Sequence, residues 1–236
     1  MIKHLITTAA FVLYATITLV AQQKTTTLTP LCDGFYVHTT WLDNIPSNGI
    51  VAETEKGVVL IDTGWDTTTT RELLDLIAAR IKKPVLLCIV THFHMDRVGG
   101  IATLKARHIN VVGTSQTAAL ALKEGHVPPE GVLPPDTVFT VDGLQLASYY
   151  PGPGHAPDNI VVWFPSRKVL AGGCFIKSTA ATQMGNLADA NLQLWPESLR
   201  KVQQRFPGPQ YVIPGHDSWA GTNAIEHTLD MISKHK

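Results

Sequence analysis

The chain has 236 residues, 44% of them hydrophobic and 16% charged, with 19 basic side chains against 19 acidic ones. That balance is globular rather than disordered, and the length suits one large domain or two half-domains sharing an interface. A net charge of zero sets up no field for nucleic acid or an anionic membrane, which argues against both as partners.

The chain opens with MIKHLITTAAFVLYATITLVAQQ, in which Lys3 precedes an apolar run from about Ala9 to Ala21. The run is short for a membrane span and is followed by polar QQKTTT. It reads as a secretory signal peptide over residues 1–21, so the expected product is exported to the periplasm without stable membrane attachment. No linker or low-complexity block interrupts residues 22–236, which are expected to form one catalytic domain. Three cysteines cannot all pair within one chain. Cys88 lies in the apolar run PVLLCIV and Cys32 begins a strand-like segment, which leaves Cys174 in VLAGGCFIK as the thiol that needs a reason.

LCDGFYVHTTW alternates like a strand, and GIVAETEKGVVLIDTGW predicts two strands about a Glu-Lys-Gly turn. DTTTTRELLDLIAARIKK predicts a helix capped by Asp66 or Thr67, with Leu73, Leu74, Ile77 and Ile81 on one face. PVLLCIV is a short apolar strand, followed by a helix starting near Gly100, a strand INVVGT and a helix SQTAALALKEG. In the second half, VFTVDGLQLASYYPGPGH and NIVVWFPSRKVLAGG read as hairpins. A helix near ESLRKVQQRF, a strand QYVIPGH and a last helix TNAIEHTLDMISKHK complete the chain. Both halves mix paired strands with helices, as expected for two sheets packed face to face with helices outside.

THFHMDR stands just past the strand PVLLCIV and crowds His92, His94 and Asp96 into five positions. His155 in PGPGHAPDN, Cys174 after VLAGG and His216 in VIPGH each follow an apolar strand as well, so all six can meet at one edge of the sheets. Three imidazoles and a water make a four-coordinate zinc site with one open position, and Asp96, Cys174 and His216 make a second three-donor set. A thiolate argues against magnesium or calcium. The other six histidines, His4, His38, His108, His126, His227 and His235, read as ordinary surface or core residues.

On LIDTGW, THFHMDRVGG, PGPGHAPDNIVVW, GGCFIK, MGNLADA and IPGH, the sequence resembles the metallo-β-lactamases, in the subclass with three-His and Asp-Cys-His zinc sites. The likeness runs from about Leu31 to the C-terminus. Many relatives in the wider superfamily place another histidine after the aspartate, where this chain has Arg97; here Cys174 supplies the missing donor.

The resemblance implies an α/β fold, the four-layer αββα sandwich. It implies two Zn2+ ions, one on His92, His94 and His155 and the other on Asp96, Cys174 and His216. It also implies that Lys177 meets a substrate carboxylate, that Asn186 lies near the lactam carbonyl, and that Asp62 and Arg97 support the floor beneath the metals. TTWLDNIPSNG corresponds to the family's mobile flap, whose tip is expected to be Trp41, Leu42 and Ile45, with Trp41 against substrate. Pro46 to Gly49 reads as a turn without a role of its own. Phe93 and Met95 are both expected to pack into the core beneath the metals.

The activity this implies is hydrolysis of β-lactam antibiotics (penicillins, cephalosporins and carbapenems) by a monomeric enzyme. Zinc-held hydroxide, oriented by Asp96, would attack the carbonyl while the second zinc holds the leaving nitrogen. Neither a GxSxG elbow nor an SxxK motif offers a rival nucleophile. Two alternatives stand beside this reading: a lactone or thioester hydrolase of the same superfamily, and a non-enzymatic periplasmic zinc-binding protein.

Overall fold

The computed structural model describes residues 26–235. The leader, and with it the expected signal peptide and His4, lies outside the described residues. Among the described residues, twelve strands and six helices follow one another. In the first half they are β1 (Thr26–Cys32), β2 (Phe35–Leu42), β3 (Ile45–Glu53), β4 (Val58–Ile61), α1 (Thr67–Arg80), β5 (Val85–Ile89), α2 (Met95–Val98), α3 (Ile101–Ala106), β6 (Val111–Gly113), α4 (Ser115–Lys123) and β7 (Gly131–Val132). In the second half they are β8 (Asp136–Val141), β9 (Leu144–Tyr149), β10 (Val161–Phe164), β11 (Val169–Gly173), α5 (Trp195–Arg205), β12 (Tyr211–Pro214) and α6 (Ala224–Lys234).

Strands β1 to β7 form one sheet in chain order, and the other runs β12-β11-β10-β9-β8. Side chains alternate across a strand, and this alternation builds the layers. Ile50, Ala52, Val59 and Ile61 point inward and meet Val162, Phe164, Val169 and Ala171 of the second sheet. Their neighbours Val51, Val58 and Leu60 point outward under Leu73, Leu74 and Ile77 of α1 and Ile101 and Leu104 of α3. On the far face, Val161, Leu170 and Val212 carry Trp195, Leu199 and Val202 of α5 and Ile225 and Ile232 of α6. Helix, sheet, sheet, helix is the expected four-layer sandwich. Each fully buried Leu, Ile or Val contributes about 1.5–3 kcal/mol, so these three clusters hold the layers together.

Asp66 caps α1 as expected, its carboxylate accepting from the Thr69 amide while the Thr69 hydroxyl reaches back to the Asp66 amide. Two local expectations are corrected. Cys32 ends a strand rather than beginning one: β1 pairs antiparallel with β2 through a turn at Asp33–Gly34. The stretch Pro46 to Gly49 is not a turn but part of β3, paired residue by residue with Trp41 to His38 of β2. Proline and Asn-Gly are turn signals, yet here β3 runs past the end of β4, which pairs only with Ile50 to Glu53. Proline is tolerated where no ladder partner needs its missing N–H. A short further helix, α2, begins inside THFHMDR at Met95, ahead of the helix expected near Gly100.

What positions a site is the parallel pairing. Strands β4, β5 and β6 run parallel in one sheet, and β11 and β12 run parallel in the other. Their carboxyl ends, at Ile61, Ile89, Gly173 and Pro214, each lead into a loop that carries polar side chains to a shared edge of the sandwich.

Candidate metal centre

The chain leaves β5 through Val90 and Thr91, and the next turn delivers His92 and His94 on either side of Phe93. Phe93 is buried against Ala121 and Ala156. The one-turn helix α2 then turns Asp96, Arg97 and Val98 inward. Met95, the first residue of that turn, is 40% exposed and lines the cleft instead of packing beneath the donors. The expected core position for Met95 is therefore corrected by helical phase. At the end of β11, Gly173 adopts φ +52 and lies so close to Thr91 that a side chain would strike the Thr91 hydroxyl. That left-handed glycine swings Cys174 into the edge.

The ring atoms His92 Nε2 and His94 Nδ1 stand 3.2 Å apart, and His94 Nδ1 and His155 Nε2 stand 3.0 Å apart. Around Asp96, Cys174 Sγ lies 3.3 Å from Oδ2 and 3.1 Å from His216 Nε2, and His216 Nε2 lies 3.4 Å from the same oxygen. Nitrogens bound tetrahedrally at about 2.0–2.1 Å would be about 3.3 Å apart, so these spacings suit one small cation per set. Donor atoms of His92, His94 and Asp96, of His92, His155 and Cys174, and of Asp96, Cys174 and His216 all group within 4.8 Å. The six expected ligand residues are thus brought to one place.

Electrostatics differ across the cluster. Burial, with the neighbouring rings of His94 and His155, holds the His92 ring well below the usual histidine pKa. Burial, reinforced by Lys177, does the same for His155. Burial also lowers His216, although Asp96 opposes it. Neutral rings are the form in which histidine binds zinc. Burial raises the Asp96 carboxyl, but Arg97, His216 and His92 outweigh it and keep the group ionised far below the usual carboxylate range. The Cys174 thiol is pushed up to about 12 by burial, with Arg97 pulling the other way. The ring nitrogens of His92, His94 and His155 face one another at hydrogen-bond distance, and the whole donor set (nitrogen, sulfur, one carboxylate) fits zinc.

Beneath the donors lies a floor that joins both sheets. Arg97 is fully buried; its Nη2 reaches Asp96 Oδ2 at 2.7 Å, the Gly215 carbonyl at 2.8 Å and Cys174 Sγ at 3.0 Å. Its Nη1 donates to the Asn48 carbonyl at 2.6 Å and to Asp62 Oδ2 at 3.3 Å. Burial pushes Asp62 up to about 6, against Arg97 and the Thr91 amide, which donates to its Oδ1 at 2.7 Å. Asp62 and Arg97 thus lie together beneath the donors.

Residues that sequence reasoning passed over hold the same floor. The Ser47 hydroxyl donates to the Asp96 carbonyl, and the Asn48 carboxamide donates to the carbonyls of Pro214 and Asp217 on either side of His216. The Pro46 carbonyl accepts from His216 Nδ1 at 2.5 Å, and Asp189 Oδ2 accepts from His94 Nε2 at 3.0 Å. Asp189 stands in the quoted motif MGNLADA, and an acid just beyond a substrate-contact asparagine was the available signal. The others gave none, since PSN reads locally as a turn.

Over the donors opens a cleft of about 530 Å³, lined by Asn44, Ile45, Trp65, Met95, Lys177 and Asn186 among others. Lys177 is buried, not a solvated surface lysine, with Nζ 5.6 Å from the Trp195 ring centre, and burial lowers its pKa. Asn186 is exposed at the rim. Trp41 does not line the cleft. It pairs with Pro46 one step short of the hairpin end, and the residues that reach the cleft from this side are Asn44, Ile45 and Pro46, joined by Trp65 from the loop after β4.

A sequence profile for the metallo-β-lactamase superfamily matches residues 42–216, which includes all six donors. The chain belongs to that superfamily. Among its curated metallo-β-lactamase relatives, a type 2 enzyme from Bacillus cereus is 42% identical over 188 residues, covering 80% of this chain and 73% of the relative. A type 2 enzyme from Elizabethkingia meningoseptica is 37% identical over 210 residues, covering 87% and 84%. The solved metallo-β-lactamase from Pontibacter korlensis superposes with a TM-score of 0.85 at 37% identity, covering 88% of this chain and 99% of that one. FIM-1 from Pseudomonas aeruginosa, solved in a mono-zinc form, superposes with a TM-score of 0.83 at 33% identity, covering 89% and 96%. Membership of this superfamily makes the protein a metal-binding hydrolase.

Proposed function

We propose that the protein hydrolyses the amide bond of β-lactam antibiotics with two zinc ions, one on His92, His94 and His155 and one on Asp96, Cys174 and His216. The observation that carries this reading is the convergence of all six donors beneath a cleft with a buried lysine on its wall. Metallo-β-lactamase relatives at 34–42% identity support the substrate class. When bound, zinc acts as a Lewis acid and lowers the pKa of a coordinated water to about 7.

The chain's own residues supply binding and orientation. Lys177 Nζ, held in the cleft wall, is the cation for the carboxylate that β-lactams carry beside the ring nitrogen. Asn186 accepts the Ala188 amide with its Oδ1 at 3.0 Å, which leaves its N–H groups to donate to the lactam carbonyl oxygen. Asp96 Oδ2 faces Arg97, Cys174 and His216, so Oδ1 is the atom available to orient the attacking water and accept its proton. Asp189 fixes His94 through Nε2 and so directs its Nδ1 into the centre. Ile45, Met95 and Trp65 give the cleft an apolar side that excludes water around the ring.

The leader sequence supports export to the periplasm with cleavage near Ala21, and the mature chain is proposed to act as a monomer free of the membrane. Mass spectrometry of the secreted or periplasmic form is expected to give an N-terminus near Gln22. Hydrolysis by purified protein of penicillin, cephalosporin and carbapenem substrates, beside a lactone and a thioester, tests the reading. β-Lactam turnover lost on chelation and restored by zinc is expected. Preferred turnover of the lactone or thioester, or β-lactam turnover that survives verified metal removal, would overturn it.

A further inference from the structure

His38 lies in β2, two strands away from β4, and its side chain is fully buried. Its Nε2 nevertheless stands 3.0 Å from the carbonyl of Ile61, the last residue of β4. Between them runs β3, in which Gly49 is the residue paired with His38. A methyl group on Gly49 would collide with both His38 Nε2 and the Ile61 carbonyl. The imidazole thus passes through a slot in the middle strand that only glycine leaves open. A carbonyl accepts, so Nε2 carries the proton, and Nδ1 is buried with no partner among the described residues. Burial drives the ring's pKa down to about 4, against the Ile61 carbonyl, and the ring is neutral at physiological pH.

The carbonyl it holds lies at a critical bend. Ile61 is the last β4 residue paired with β3, and the next residue, Asp62, takes φ +62. An aspartate in the left-handed region costs strain unless its surroundings fix it. From that conformation the Asp62 carboxylate accepts from the Thr91 amide and hydroxyl and from Arg97, and Arg97 in turn contacts Asp96 and Cys174. We infer that His38 is a positioning residue for the Asp-Cys-His half of the metal centre, acting through the Gly49 slot on the Ile61–Asp62 bend and so on the Asp62–Arg97 floor. The reading of His38 as an ordinary core histidine gives way to this one. The inference rests on the zinc reading above and adds a determinant that touches neither metal donors nor substrate.

The test is zinc affinity, measured by chelator competition on purified protein, together with cobalt(II) titration of the apoprotein, in which the sulfur-to-cobalt charge-transfer band reports Cys174. His38→Leu keeps bulk but cannot donate; His38→Gln places an N–H donor near the position of Nε2. The His38→Leu variant is expected to hold its second metal about 10- to 100-fold more weakly, as for other groups that orient metal ligands, and to lose the cobalt–thiolate band at matched metal concentration. The first metal should change far less, and His38→Gln should restore most of the loss. If His38→Leu does not fold, Gly49→Ala, which keeps the imidazole but closes its slot, and His38→Asn, which falls short of Ile61, replace it and are expected to show the same selective loss. Unchanged affinity for both metals in the folded variants, with only a lower Tm, would overturn the inference and make His38 a packing residue. Equal weakening of both metals would overturn it too. Wild-type protein that binds no zinc would instead overturn the function proposed above.

Discussion

His92, His94 and His155 bring three ring nitrogens to the centre, held from behind by Thr91, Asp189 and packing. Asp96, Cys174 and His216 gather around a guanidinium that is itself fully buried and bonded to both sheets. The first half has no thiol to deprotonate when it takes a cation. The second must balance a carboxylate, a thiol that has to lose its proton and a permanent positive charge within a few ångströms. The lesson is that two donor triads of equal size, which meet across Met95 in THFHMDR, depend on different parts of the fold. The histidine half leans mainly on its own loops and touches the β4 bend only through Thr91, whereas the thiolate half leans on β3 and on that bend through Arg97.

Removing the guanidinium is expected to have the largest effect. Arg97→Ala leaves Asp96 and Asp62 buried without their partner, a loss of about 3–5 kcal/mol for a broken buried pair, and the second metal with it. Denaturant unfolding of the apoprotein, with zinc analysis beside it, checks this; a loss below about 1 kcal/mol would mean the floor is held by other contacts. Asp96→Asn removes a ligand charge and the proton acceptor together. It is expected to lower kcat/KM by about 10²–10⁴-fold, read from steady-state kinetics at saturating zinc.

Lys177→Ala bears on substrate rather than metal. Loss of a charge-assisted contact of about 1.5–3 kcal/mol corresponds to about 10- to 100-fold in kcat/KM, carried mainly by KM. A substrate without the carboxylate should show little difference between the two enzymes, and equal losses on both would give Lys177 a structural role. Asp189→Asn touches only the histidine half. It should weaken the first zinc by about tenfold while leaving the cobalt–thiolate band intact, which is the mirror image of the His38 effect.

The halves should also separate by pH. With the Cys174 thiol raised to about 12, it is protonated in the apoprotein at neutral pH and releases its proton when metal binds. Apparent affinity for the second zinc is therefore expected to rise about tenfold per pH unit between about 7 and 8, where the first, which has no thiol to deprotonate, changes less. Parallel pH dependence of both affinities would contradict the distinction.

Much of this molecule is legible in its sequence where the signal is local. The Asp66 cap, the apolar strands at Val58 to Ile61 and Val169 to Gly173, and the crowding of His92, His94 and Asp96 all follow from neighbours in the chain. What escapes is whatever depends on distant strands. Pro46 to Gly49 carries turn chemistry but is held straight by β2 and by the loop around His216. Met95 looks like a core residue until α2 sets its phase. Trp41 and Trp65 are indistinguishable as flap or cleft residues until the hairpin length is known. His38 reads as one more buried histidine until Gly49 is seen to open a path to Ile61.

The zinc stoichiometry of Cys174→Ser tests the two-half account most directly. A hydroxyl is a far poorer zinc donor than a thiolate, so the second set should fail while the three-histidine set survives. The expected result is about one zinc retained per chain after dialysis, no cobalt–thiolate band and much reduced β-lactam turnover. Two tightly held zincs with full activity would make Cys174 a buried thiol and contradict the division of the centre into two unequal halves.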